Sequence, residues 1–432
     1  MSAAPTRSAV LVTASEPEPR TFGKQVVLGG LLDHLLDRLG PELLHVVVLG
    51  DPDRERPPVP YHLHVLRRPR ASEQLWSVAT RVVPPPHSSL QEAALWSPRL
   101  LSELDALLVT IGADLEIWDT IRTAQYARAL PRRRRVLYAD DLFSRRYGSI
   151  LEREREQKTP PSDPLGDFGR LLPGPARRLA GKPWVYRTLL SVEQRLAAAA
   201  EDRAPADFDA TVLVNPDETA ALAERTGSPS VVTLLPLLRT GPERPRHFGG
   251  RADFVFLGSL EFQPNRDALL WFLTTCRDEV LARVPDFRLV LVGRGSDTPL
   301  PGAESWGDRV RPLGWVPDLD DVLLSAAALL SPLQTGSGIK IKVLESLARG
   351  LPVVATRFGV LGLEVDRASG CLVADDPAGL ADALAETVDP AANATLSAAA
   401  LACWHQRYAP AVAREAYDRV LGLAPSVAEP PR

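Results

Sequence analysis

Leu329–Thr356 reads LLSPLQTGSGIKIKVLESLARGLPVVAT, and its punctuation decides the fold. Leu329-Leu330-Ser331 is strand-like, Thr335-Gly336-Ser337-Gly338 is a glycine loop, and Ile341 to Leu347 carries helical spacing. Gly350 and Pro352 break that helix, and Val353-Val354-Ala355 opens a second strand. Strand, loop, helix, turn, strand is the grammar of a parallel α/β sheet. The loop also has a chemical reading. Its backbone amides open at the positive end of a helix, an anion site, and Lys340 and Lys342 stand where that helix begins. Glu345 lies roughly 8 Å further along the helix. That separation suits a diphosphate at the loop and a ribose diol on the carboxylate, whose two oxygens accept both hydroxyls. The plainer alternative is a glycine turn followed by an ordinary Lys342–Glu345 helix salt bridge.

The same grammar extends outward. Ala9–Thr13, Leu44–Leu49, His62–Leu66, Ala106–Thr110 and Arg135–Ala139 read as strands, with Gln25–Leu39 and Ile117–Ala129 as helices between them. After Phe254 the pattern repeats, with strands at Phe254–Leu257, Leu289–Val292, Ala328–Ser331 and Pro352–Thr356 and a helix over Asp267–Val284. Thr188–Ala200 is helical, and Ala206–Asn215 returns to a strand. The irregular, charged stretch Pro236–Asp253 reads as a linker. The expected organisation is an N-terminal α/β domain over 1–240 with an irregular insertion at about 158–183, and a C-terminal α/β domain over 250–400. A helix at 401–423 is expected to pack back toward the first domain, ahead of a disordered tail at 424–432.

Composition narrows the function. The 432 residues are 45% hydrophobic with a formal charge of −4, so no basic excess marks a nucleic-acid binder. No apolar run is long enough for a membrane helix, no secretory signal stands at the start, and Cys276, Cys371 and Cys403 have no metal-like spacing. A cytoplasmic protein is expected. Only five of the 50 basic residues are lysine: Lys24, Lys158, Lys182, Lys340 and Lys342. Around the insertion, Leu171, Leu172, Trp184 and Tyr186 alternate with Arg170, Arg177, Arg178, Lys182 and Arg187. That mixture suits either a loop packed on its own protein or a peripheral contact with an anionic membrane face. His62 and His64 share one strand face but lack a third ligand, so a core or surface pair is expected rather than a metal site. His87 sits in a proline-rich loop.

The run Gly338–Thr356 resembles the signature of the retaining, nucleotide-sugar-dependent glycosyltransferases of the group-one (family 4-like) type. Phe256–Asp267 (FLGSLEFQPNRD), Leu289–Gly293 (LVLVG) and Gly314–Asp318 (GWVPD) are similar to further segments of that family. Tyr138–Tyr147 (YADDLFSRRY) and Phe208–Val214 (FDATVLV) resemble segments of its N-terminal half. The resemblance implies the GT-B fold: α/β, two Rossmann-like doubly wound domains facing a cleft. It assigns Glu345 to the donor ribose. Ser337 stands where the family has a first glutamate that contacts the donor sugar, and Ser259 and Pro264 stand where it has a basic phosphate clamp. Lys340, Lys342 or Arg266, with the Gly336 to Gly338 amides, are left to hold the diphosphate, Lys340 being the first choice.

On the donor side the resemblance also includes Gly258, Gly293 and Val316, the last bordering the base; packing is the better reading of Trp315. In the first domain, Gly23 and Lys24 occupy a loop after the first strand and approach the donor phosphates or the acceptor. Asp140 and Asp141, at a strand's carboxyl end, are candidates for acceptor binding, or alternatively for capping the next helix. The implied reaction transfers a sugar from a nucleoside-diphosphate donor to a glycan, lipid-linked or natural-product acceptor, with retention. It needs no metal and no tightly bound cofactor. Lys340, Glu345 and Ser337 are the catalytic candidates, and the departing phosphate takes the acceptor's proton. Alternatives are a sugar-nucleotide epimerase or phosphorylase on the same fold, or a non-catalytic relative. A nicotinamide dehydrogenase is disfavoured, since no G-x-G-x-x-G follows the first strand.

Overall fold

The computed structural model describes residues 5–21, 23–82, 88–157, 182–239, 244–298 and 300–424. Phe22, His87, the expected insertion up to Gly181 and the tail beyond Ala424 lie outside these residues. Two compact units form. Described residues 5–148, 182–237 and 413–424 make the first, and 149–157 and 238–412 make the second.

The first unit has seven parallel strands: β1 (Ala9–Thr13), β2 (Leu44–Gly50), β3 (His62–Arg67), β4 (Leu115–Asp119), β5 (Arg135–Asp140), β6 (Ala210–Leu213) and β7 (Val231–Thr233). They are ordered β3-β2-β1-β4-β5-β6-β7. β1 (AVLVT) is buried along its whole length, because helices cover both faces of a parallel sheet and leave no wet side for a polar alternation. The core on one face gathers Val10, Val12, Val47, Trp118, Tyr126 and Leu137. The C-terminal helix Pro410–Leu421 belongs to this unit from Ala413 onward. Asp418 accepts from Arg38 Nη2 at 2.6 Å and lies 2.9 Å from His34 Nε2.

The second unit repeats the plan with β8 (Asp253–Leu257), β9 (Arg288–Val292), β10 (Val310–Gly314), β11 (Ala328–Ser331), β12 (Val353–Ala355) and β13 (Cys371–Val373). All are parallel, in the order β10-β9-β8-β11-β12-β13. An aromatic cluster fills its core. Phe254 stacks on Phe287 at 4.9 Å and Phe272 on Trp306 at 5.8 Å, the range in which aromatic pairs add about 0.5–1.5 kcal/mol beyond area burial. In each sheet the order reverses beside the unit's first strand, at β1/β4 and at β8/β11. Ligands bind at the carboxyl ends of strands flanking such a point. Among the described residues no helix is long and apolar enough to cross a membrane.

Several elements differ from the sequence reading. Ala106–Thr110 is not a strand but lies inside the helix Pro98–Ile111. Ser97 accepts from the Leu100 amide, Pro98 sits at the first helical position, Gly112 closes the end at φ 62, and Leu100, Leu104 and Leu108 face the core. Two caps and an i, i+4 stripe outweigh the strand preference of a short Leu-Val-Thr run. Ile117–Ala129 is not one helix, because Ile117 to Asp119 complete β4 and the helix is Thr120–Ala127. The helix expected over Asp267–Val284 is two, Gln263–Thr275 and Arg277–Arg283, meeting at Cys276. Gly23 and Lys24 do not form a loop but open the helix Gly23–Leu39.

Candidate active site

In the second unit β8 ends at a crowded glycine. Gly258 takes φ 155, and a Cβ there would come 2.7 Å from Asn265 Nδ2 and 3.2 Å from Lys342 Nζ. Gly293, after β9, packs on it so closely that a Cβ would lie 2.3 Å from the Gly258 carbonyl oxygen. These two glycines let a lysine and an amide approach the end of the sheet.

The lysines divide the work. Lys340 is buried, and its ammonium donates to the carbonyls of Ser337 at 2.8 Å and Gly338 at 3.3 Å, stitching the glycine loop from within. Lys342 reaches from the helix Ile341–Leu347 to the end of β8. Its Nζ donates to Asn265 Oδ1 at 2.9 Å and stands 4.7 Å from the centre of the Phe256 ring. Burial, then the charge of Lys340, pushes its ammonium down to about 7. The Lys342–Glu345 salt bridge does not form. Glu345 Oε2 accepts from Arg349 Nη1 at 2.5 Å, and Arg349 Nε donates to Asp320 Oδ1 at 2.6 Å. Arg266 is half-buried in the first turn of Gln263–Thr275, and Val316 is half-buried just after β10. Trp315 is 57% exposed, so packing does not account for it.

In the first unit Lys24, from the opening turn of Gly23–Leu39, meets two carboxylates at the ends of β4 and β5. Its Nζ lies 2.5 Å from Asp119 Oδ1 and 3.1 Å from Asp140 Oδ2, and Thr13 donates to Asp119 Oδ2 at 2.7 Å. Burial alone would lower the ammonium's pKa, but Asp119 and Asp140 reverse that and raise it. Burial raises the Asp140 carboxyl, against the pull of Lys24. Two non-glycine residues here adopt left-handed backbone, Thr120 at φ 64 and Asp140 at φ 70, conformations held at sites the surrounding fold over-determines. Asp141 pairs with Arg146 at 2.5 Å. Around the start of the following helix, the amides of Leu142 and Ser144 go to Glu218 and Glu201. His62 and His64 do have a third histidine beside them. His45 Nδ1 lies 3.1 Å from His64 Nε2 and the His45 ring stacks on His62 at 4.7 Å. Among the described residues no group of three or more His, Cys, Asp and Glu is arranged to hold a metal ion.

The sequence names these charged candidates but not the partners that fix them. Asn265, Arg349, Asp320 and Asp119 each fix a charged candidate. Arg349 carried a signal, four residues after Glu345. Asn265 lies 77 positions from Lys342, and only folding joins them.

Residues 251–389 match the family model described as glycosyl transferases group 1. No curated protein matches the chain by sequence. Sucrose-phosphate synthase from Thermosynechococcus elongatus is a structural neighbour, with TM-score 0.63 and 16% identity over 96% of this chain and 98% of that one. Anabaena HepE, solved with UDP, gives TM-score 0.60 and 12% identity over 96% and 99%. WaaG, a glycosyltransferase involved in lipopolysaccharide biosynthesis, gives 0.58 and 15% over 95% and 99%. The fold is GT-B. Within this GT-B chain, the second unit carries the group 1 domain, which contains the Lys342–Asn265 and Glu345–Arg349 pairs.

Proposed function

We propose that the chain is a retaining glycosyltransferase that moves a sugar from a nucleoside-diphosphate donor to an acceptor hydroxyl, acting in the cytoplasm on a glycan, lipid-linked or natural-product acceptor. The observation that carries this reading is the gathering of donors and one oriented carboxylate where β8 and β11 end. Lys342 reaches the end of β8, and the Gly336 to Gly338 loop follows β11. A carbonyl turned toward Lys340 puts the amide of the same planar peptide on the opposite side, so the amides of Gly338 and Ile339 face away from that ammonium. Such amides, with Lys342, would stabilise the charge that develops on the β-phosphate as the glycosidic bond breaks. Glu345, fixed by Arg349, would accept a ribose hydroxyl. Arg266 and Val316 complete the donor side.

In retaining transfer the departing phosphate takes the acceptor's proton, which leaves the protein the tasks of orientation and charge stabilisation. Asp140 is the acceptor-side candidate; Asp141 acts through Arg146. A uridine nucleotide is the first donor to test, since HepE was solved with UDP. Trp184, 67% exposed at the start of Pro183–Asp207, stands beside Lys182 and Arg187 and supports a peripheral contact with an anionic membrane face.

Titration calorimetry of UDP, GDP and ADP against the wild type, Glu345→Ala and Lys340→Ala tests the site. A charge-assisted contact is worth about 1.5–3 kcal/mol, so roughly 10- to 150-fold weaker binding is expected in Glu345→Ala. Unchanged binding in both variants would remove the assignment. Screening hydrolysis and transfer over a panel of nucleotide sugars then identifies the donor.

A further inference from the structure

Lys342 is a half-buried lysine with an unusual companion. Among the described residues its ammonium has no carboxylate partner; its hydrogen bond goes to the amide oxygen of Asn265. Asn265 is buried, and its orientation is settled by its other end, where Nδ2 donates to the Ser259 carbonyl at 2.9 Å. Turning the amide over would set Nδ2 against the ammonium and Oδ1 against a carbonyl, two repulsions for two bonds. The Ser259 carbonyl, Asn265 and Lys342 therefore form one relay that carries a basic group to the end of β8. The loop there supplies no basic side chain of its own, since Ser259, Leu260, Glu261, Phe262, Gln263 and Pro264 follow Gly258.

The charges on the surrounding elements do not compensate. On its own segment stand Lys340, which opposes a second positive charge, and Glu345, whose Oε2 is engaged by Arg349. On Gln263–Thr275 stand Arg266 and Asp267, and Asp267 accepts from Gln263 Nε2 at 2.7 Å. β8 offers the Phe256 ring and the Gly258 backbone. An ammonium in such a place is favoured only when an anion arrives to share it.

We propose that Lys342, oriented by Asn265, is the group that receives the donor diphosphate on the β8 side, and that it takes up a proton from solvent as the diphosphate binds. This rests on the donor-site reading given above. The balance is simple: one proton moves from the buffer to Nζ, and the ligand enters as the fully deprotonated diphosphate. Lys342 is a binding residue in this scheme, and Asn265 a positioning residue that acts through it.

Titration calorimetry of UDP, GDP and ADP at pH 8, in buffers of different ionisation enthalpy, reads the proton directly. The terminal phosphate, with a second pKa of about 6, is already ionised at that pH and contributes no uptake. A lysine near 7 that rises by one to three units on meeting the anion takes up roughly half to nine-tenths of a proton per nucleotide. The wild type is therefore expected to show buffer-dependent heats and about tenfold weaker binding per pH unit above 7 until the bound form titrates. Lys342→Arg, charged throughout, is expected to bind without uptake and with a flat pH profile. Asn265→Asp gives the ammonium a resident carboxylate; it is expected to lose the uptake and to bind at least tenfold more weakly. Wild-type binding with no buffer dependence overturns this proposal alone. No binding of any of the three nucleotides overturns the donor-site reading and this proposal with it.

Discussion

The two units place a lysine beside the reversal point of the same strand order and use it in opposite ways. Lys24 lies between Asp119 and Asp140, so its charge is neutralised inside the fold and the three groups together carry a net negative charge. Lys342 bonds to the neutral amide of Asn265, with a second lysine two residues away. Topology fixes where the ammonium stands. The oxygen that meets it, carboxylate or amide, decides whether the charge supports the structure or remains available to a ligand.

Substituting each lysine by methionine is the harshest test of that contrast. Lys24→Met leaves two carboxylates buried without their counter-ion, and a broken buried pair costs about 3–5 kcal/mol. Lys342→Met strands no charge and is expected to leave stability unchanged or slightly higher while abolishing tight diphosphate binding. Guanidinium unfolding of both variants checks this. Equal losses of stability would mean that the two lysines are equivalent structural groups.

The first unit's internal use of charge continues on its long helix, Pro183–Asp207. Burial pushes Glu193 and Glu201 up to about 7, against the hydrogen bonds they accept from the Leu90 and Gln91 amides and from Ser144. An unfolded glutamate titrates near 4.3. Between about 4.3 and 7 the folded chain thus binds more protons than the unfolded one, so stability is highest at the acid end and falls as pH rises through that window. Glu201→Gln keeps an acceptor for the Ser144 amide and removes the titration. It is expected to flatten the decline by up to about 3 kcal/mol. Urea midpoints at pH 5, 6 and 7 measure it, and a slope identical to the wild type's would show that Glu201 is not the group responsible.

These contrasts mark what the sequence could and could not show. Apolar runs such as Val46-Val47-Val48 and Leu289 to Val292 announce buried parallel strands, since a sheet covered on both faces demands them. The run Leu107 to Thr110 looks the same over four residues, and only its distant caps, Ser97 and Gly112, reveal a helix. At the site, the lysines, the glycines and Glu345 stand within one short segment and can be read together. Their partners cannot. Asp320 lies 29 positions before Arg349, and Asn265 lies 77 before Lys342. Even Lys340, conspicuous in a lysine-poor chain, turns its ammonium onto its own loop carbonyls, a choice set by the conformation at Gly336 and Gly338.

The smallest expected effect tests whether the second unit also contains charge used only for positioning. Arg349 bridges Glu345 and Asp320, so it fixes the direction of the Glu345 carboxylate. Arg349→Ala leaves no isolated charge, because Asp320 keeps Arg244 at 3.6 Å and Glu345 keeps partial access to water. Fold stability should therefore change little. What is lost is the fixed direction of one carboxylate, worth about 1 kcal/mol, or roughly a fivefold rise in donor KM with kcat unchanged. Arg349→Lys, which keeps the charge but not the planar fork, should recover part of it. An equal fall in kcat and kcat/KM would show that Arg349 acts in the transition state rather than through Glu345, and would place it beside Lys342 among the groups that meet the ligand.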